Sequence, residues 1–203
     1  MLLTPFYDPA KSYEENFREG PFGAFADRLV IQQGESLLKY DFFGFKVNSP
    51  FGIAAGPLIN GKFAQAALDH CFDIVTYKTV RSAQYPCHRF PNVLSVKVPR
   101  GSVLGKDSTQ VFAQNDYQEP LSITNSFGVP SFDPEFWQED MTKLLAKMRP
   151  GQILVGAFQG TKREGQSAEE YVNDFRIATR LLKEAGVKVI EVNLSCPNED
   201  TNN

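Results

Sequence analysis

Apolar residues in this chain follow two patterns that take turns. Four compact runs read as buried strands: Phe51-Gly52-Ile53-Ala54-Ala55-Gly56, Asp73-Ile74-Val75-Thr76-Tyr77-Lys78-Thr79, Ile153-Leu154-Val155-Gly156-Ala157-Phe158 and residues 187–193. Helical spacing fills the gaps between them. Residues 62–71 repeat at Phe63, Ala66, Ala67 and His70. Asp133 caps a second helix, Pro134 takes its first turn, and Phe136, Trp137, Met141, Leu144, Leu145 and Met148 form its stripe before Gly151 stops it. Ser167 and Glu170 make a capping box for a third, with Val172, Phe175, Ala178, Leu181, Leu182 and Ala185 inward and Gly186 as a left-handed cap.

The strands are continuously apolar rather than alternating, so both of their faces should be covered. That predicts a parallel sheet with helical crossovers, an α/β fold. Four such units amount to half of a (β/α)8 TIM barrel or to a small open doubly wound sheet. A complete barrel takes about 250 residues, and this chain has 203. Its first forty residues read as turn material. Residues 37–47 alternate and carry aromatics, which predicts a short strand pair. We therefore expect residues 1–47 to form an N-terminal extension with that strand pair, and residues 48–203 the N-terminal half of a barrel. Residues 85–121 have little periodicity apart from a strand-like stretch at 93–98, and are expected to be a functional insertion.

Composition narrows the setting. The chain is 42% hydrophobic and 22% charged, with a formal net charge of -3, which gives no electrostatic footprint for nucleic acid. No apolar run approaches the roughly 18 residues of a membrane span. Three cysteines with no CxxC pair fit a reduced, cytoplasmic protein.

The chemistry-bearing residues fall where loops leave the strands. Asn193, Ser195, Cys196 and Asn198 surround one thiol at the end of the last strand, with Pro197 breaking that strand. Such a thiol can serve as nucleophile, general base or metal ligand. Ala54-Ala55-Gly56 reads as a tight turn after a core strand. Lys78 either snorkels from its strand end or holds its amine at the mouth. Asn125-Ser126-Phe127-Gly128-Val129-Pro130 has ordinary loop composition. His70, Cys71, Cys87 and His88 lack metal-ligand spacing, so no metal site is expected.

Taken in order, these clusters resemble a family. Ser49 to Gly56, Thr76-Tyr77-Lys78-Thr79, Thr124 to Pro130 and Asn193-Leu194-Ser195-Cys196-Pro197-Asn198 are similar to the motifs of dihydroorotate dehydrogenases, flavin enzymes of pyrimidine synthesis. A cysteine at position 196 resembles the soluble class 1 enzymes. The resemblance implies an FMN-bearing barrel. Ala54, Ala55 and Gly56 would let the backbone approach the flavin ring, Lys78 would place positive charge at its edge, and Thr79 and Asn193 would hydrogen-bond it. Asn125, Asn193 and Asn198 would bind the pyrimidine, joined by Lys78, with Phe127, Gly128 and Val129 lining it. Cys196 would be the general base, taking a proton from dihydroorotate as hydride leaves for the flavin, with Lys78 as its catalytic companion. The same residues fit a related flavin-dependent dihydropyrimidine reductase. The family's flavin phosphate site lies on later strands, so the chain is expected to be the N-terminal part of a longer enzyme. As an isolated half barrel it would act only through binding. A homodimer is compatible with the resemblance.

Overall fold

The computed structural model describes residues 6–27, 40–98, 111–118, 121–194 and 196. In chain order, helix α1 (Tyr13–Glu19) precedes a hairpin of β1 (Tyr40–Phe42) and β2 (Phe45–Val47). Strand β3 (Gly52–Ile53) leads to helix α2 (Gly61–Asp69), and α2 to strand β4 (Ile74–Thr76). The short strands β5 (Val93–Val96), β6 (Ala113–Gln114) and β7 (Ile123–Asn125) follow, then helix α3 (Pro134–Leu145) and strand β8 (Ile153–Phe158). Helix α4 (Ala168–Glu184) and strand β9 (Val189–Val192) complete the order.

Strands β3, β4, β8 and β9 form one sheet in that order, and every neighbouring pair is parallel. Each crossover carries a helix, as continuously apolar strands require. Among the described residues this sheet is open, not a closed barrel. Its core lies between the strands and helices α2, α3 and α4, where Phe63, Leu68, Val75, Trp137, Met141, Leu154, Phe158 and Leu182 are buried.

Local chemistry sets the helix ends. The Asn60 side chain accepts from the Lys62 and Phe63 amides and starts α2. At the other end Cys71 takes φ +66°, and the amides of Cys71 and Phe72 donate to the Leu68 and Ala67 carbonyls. This is a Schellman closure with cysteine where glycine is usual. The Ser167–Glu170 capping box opens α4 as expected. Asp133 sits at the N-cap of α3 but makes no capping hydrogen bond, so Pro134 carries that start.

Three expectations need correction. Val172 (51% exposed) and Phe136 (45% exposed) lie outside the buried stripes, because the described neighbours of α3 and α4 cover narrower faces than the apolar spacing offered. The N-terminal region is not all turn, since Ser12 and Glu15 form a capping box that opens α1. The small sheet after β4 is larger than the strand-like stretch at 93–98: β5 pairs antiparallel with β6 and with β7, and β7 lies past residue 121. Its strands are too short for periodicity to reveal.

Gly52 pairs with Ile74 across β3 and β4, and a Cβ there would lie 2.6 Å from the Ile74 carbonyl oxygen. Backbone cannot yield as a side-chain tip can. Gly52→Ala is therefore expected to lower stability by about 1–3 kcal/mol in denaturant melts, loosening the turn that follows β3.

Candidate functional site

A parallel register sends every strand's carboxyl end to the same edge. The turn Ala54-Ala55-Gly56 after β3, Lys78 and Thr79 after β4, Gln159 to Thr161 after β8, and Asn193 after β9 therefore share that edge. Gly56 adopts φ +139°, and the position of a Cβ on it faces open space. Only glycine occupies that backbone region readily, so the turn leaves a bare stretch of backbone.

The edge is not regular at β4. Thr76 pairs with Val155, yet the next bridge joins Val80 to Phe158, so residues 77–79 oppose only 156 and 157. This is a bulge. The Lys78 amide leaves the β8 side and donates to the Leu58 carbonyl at 2.9 Å, while the Tyr77 and Val80 amides keep donating to Val155 and Ala157. The Tyr77 hydroxyl reaches Asp140 of α3 at 2.7 Å. The extra residue re-aims Lys78.

Lys78 is only 8% exposed, and among the described residues no hydrogen bond or ion pair holds its amine. Burial pushes the amine below the usual lysine range and nearby Arg81 adds to that, whereas the Cys196 and Cys87 thiols oppose it. Cys196 is half-buried and lies within electrostatic reach of both Lys78 and Arg81. Thr79 is buried beside them. Asn193 continues β9 by donating its amide to the Phe158 carbonyl at 2.8 Å, with its side chain half-buried.

The segment from Asn125 to Ser131 starts at the end of β7. Asn125 ends β7 opposite Val93 and is exposed. The Phe127 carbonyl accepts from the His88 amide at 3.1 Å and from the Cys87 thiol at 3.4 Å, and its ring meets Tyr7 and Tyr13 edge-on. Gly128 has φ +65°, and a Cβ there would lie 2.8 Å from the His88 ring. Val129 is buried. Asn92 ties the segment down by donating to the His88 and Ser126 carbonyls.

Sequence reasoning placed Ala54, Ala55, Gly56, Lys78, Thr79, Asn193 and Cys196 on this edge, and all are on it. Phe127, Gly128 and Val129 lie in the adjoining segment, with Asn125 at its outer end. Asn198 and Ser195 lie outside the described residues. Arg81 and Cys87 were missed. Arg81 is buried to 1% exposure in the loop directly after Lys78 and Thr79. A lone arginine after a strand reads as surface, and only its closeness to the Lys78-Thr79 pair gives a signal. Burial lifts the Cys87 thiol to about 11, with Glu14 adding to the rise, so Cys87 stays a neutral donor to Phe127. His70 stacks on Phe25 at 4.9 Å, and no group of metal-binding side chains occurs among the described residues. No described helix is long and apolar enough to cross a membrane. A groove of about 550 Å³ lies apart from this edge, in the helical layer between Phe25, Gln65 and Leu144.

Bare backbone at Gly56, a buried amine with no acidic partner among the described residues, and a half-buried thiol within its electrostatic reach share this edge, which leaves room for a flat ligand and sets a cation beside it. The folded state holds the Lys78 amine below its unfolded value, so burying the charge costs stability wherever lysine is protonated. Lys78→Met should therefore raise the melting temperature at neutral pH. The gain should shrink as pH climbs through the lowered folded value toward the unfolded lysine value, which thermal melts across alkaline pH will check.

No family model matches the sequence. A curated dihydroorotate dehydrogenase of Dictyostelium discoideum is 36% identical over 208 residues, covering 97% of this chain and 54% of that protein. The crystal structure of DHODH from Eimeria tenella in complex with ferulenol aligns with a TM-score of 0.57. It covers 87% of this chain and 42% of that one at 16% identity, a likeness of fold. The chain spans about half the length of the curated relative it matches. By sequence, this α/β chain is similar to a dihydroorotate dehydrogenase along nearly its whole length.

Proposed function

We propose that this chain is part of an FMN-dependent enzyme that oxidises dihydroorotate to orotate in pyrimidine synthesis. The observation that carries the reading is a buried Lys78 amine, with no ion-pair partner among the described residues, within electrostatic reach of Cys196 on the carboxyl edge of a parallel sheet, in a chain similar to a dihydroorotate dehydrogenase. In this reading the four described strands are the first four units of a (β/α)8 barrel. Residues 1–47 form an extension, 48–203 a half barrel, and 85–121 an insertion beside the substrate. The soluble, class 1-like character expected from Cys196 goes with a cytoplasmic setting and a homodimer.

Ala54, Ala55, Gly56, Thr79 and Asn193 would hold the flavin, with Lys78 at its edge. When bound, FMN supplies the acceptor for hydride from C6 of dihydroorotate. The protein's own residues do the rest. Asn125, Asn193 and Asn198 present amide donors and acceptors to a ring that carries both, which fixes its orientation. Phe127, Gly128 and Val129 press that ring into register and exclude water. Cys196, as thiolate, takes the proton from C5, so one proton and one hydride leave and the C5–C6 double bond forms. A cation at Lys78 steadies the negative charge that builds nearby. That charge is lost once Lys78 deprotonates, at lower pH than an ordinary lysine.

The test uses the longest natural protein that carries this sequence. It should purify with visible flavin bands that bleach when dihydroorotate is added without air. Absence of flavin, or flavin bleached only by a nicotinamide donor and reoxidised by uracil or thymine, would overturn the reading; the second outcome would mark a dihydropyrimidine reductase. Cys196→Ala should keep the flavin and slow its reduction by about 10²–10⁴-fold in rapid mixing. Undiminished reduction would remove Cys196 from its role.

A further inference from the structure

Arg81 has a role that neither the sequence motifs nor the expected chemistry provides. Its guanidinium is buried, and its three principal contacts reach different segments of chain. Nε donates to the Val129 carbonyl at 2.8 Å, in the segment proposed to press on substrate. One terminal nitrogen donates to the Gly160 carbonyl at 3.1 Å and to the Thr161 hydroxyl at 3.2 Å, in the loop after β8. The plane lies on the Tyr85 ring, 4.0 Å from its centroid, and Tyr85 is itself bridged antiparallel to Ser131. The Arg81 amide adds a bond to the Ser131 hydroxyl.

A second buried group closes the arrangement from below. Asp174 of α4 accepts from the Ser82 hydroxyl and, at 2.8 Å, from the Thr161 amide. Gly160 fits only because it lacks a Cβ, which would lie 2.2 Å from the Phe175 ring. The loop after β8 is thus seated on α4, and Arg81 transfers that fixed position to residues 129–131. A guanidinium suits this task because its donors are set in one plane at fixed angles, whereas an ammonium is a point charge on a flexible stem.

We infer that Arg81 is a positioning residue for substrate: it clamps the Asn125–Ser131 segment to the strand-end edge and so sets affinity for the planar pyrimidine. This rests on the proposed pyrimidine site for its functional half, while the clamp itself does not. The clamp acts through Val129 and Ser131, not by touching the reacting atoms. Its loss should therefore weaken substrate binding more than it slows the chemical step.

Two measurements on the longest protein carrying this sequence separate these halves. In hydrogen exchange, Arg81→Lys and Arg81→Met should both speed exchange across residues 125–131 while leaving α2 and α3 unchanged. In steady-state kinetics both should raise KM for dihydroorotate about tenfold or more, as expected for lost hydrogen bonds to a charged group. Flavin content and the reduction rate at saturating substrate should stay within about threefold. Lysine should not rescue, since it keeps the charge and loses the plane. Should both variants fail to fold, Thr161→Val, which removes one acceptor, should show the same changes at smaller size. Unchanged exchange in 125–131 overturns the clamp. Faster exchange with unchanged KM overturns the role in affinity. If the wild-type protein shows no reduction by dihydroorotate, the proposed function fails and exchange alone decides the clamp.

Discussion

The geometry of this chain depends on one irregularity in an otherwise regular sheet. Four parallel strands deliver their carboxyl ends to one edge, and three residues after β4 face two residues of β8. Without that extra residue, side chains beyond Thr76 would continue to alternate across the sheet. With it, Tyr77 bonds to α3 while Lys78 loses its β8 partner and turns its amide to Leu58. A lysine at this point is held where water is scarce, and among the described residues no carboxylate pairs with it. Burying an unpaired ammonium costs stability, and the surrounding core of Phe63, Val75, Trp137 and Leu154 has to offset that cost. Sites that keep such a group generally use it on a ligand.

The loops around the edge are joined by polar groups that the strands do not supply. Arg81 and Asp174, both buried, satisfy carbonyls, amides and hydroxyls from the loops after β4 and β8, and Arg81 extends the joint to Val129. Asn92 does the same for the Ser126 turn. Cys87 adds a weak thiol bond to Phe127, which Tyr7 and Tyr13 back from the N-terminal segment. The N-terminal residues and residues 87–92 thus converge on the Ser126–Phe127 turn. Rigidity here comes from side chains reaching across loops, which suits a site whose residues come from far-apart stretches of sequence.

How far the sequence could be read follows from the range of each signal. The parallel sheet was legible because its strands are apolar without a break, and α4 because Ser167 and Glu170 form a capping box within four residues. The positions at strand ends, Gly56, Lys78, Asn193 and Cys196, were legible because a strand's end can be located without knowing its partners. Helix α1 was overlooked although Ser12 and Glu15 carry the same capping box, since the prolines and glycines around it dominate the local composition. The small sheet of β5, β6 and β7 was hidden by strand length: β6 has only Ala113 and Gln114. The bulge at Lys78 was invisible in principle, because it is a mismatch between β4 and a strand nearly eighty residues away. Arg81 was lost for the same reason, as its partners at Val129 and Gly160 are distant in sequence.

The proposed function puts the Lys78 cation against a bound flavin. The most direct measurement is the midpoint reduction potential of the flavin in the longest protein carrying this sequence, compared with its Lys78→Met variant near neutral pH. A cation at the flavin edge stabilises the charge gained on reduction, so the account predicts a clearly more negative potential in the variant. Equal potentials in two proteins that both bind flavin would contradict it.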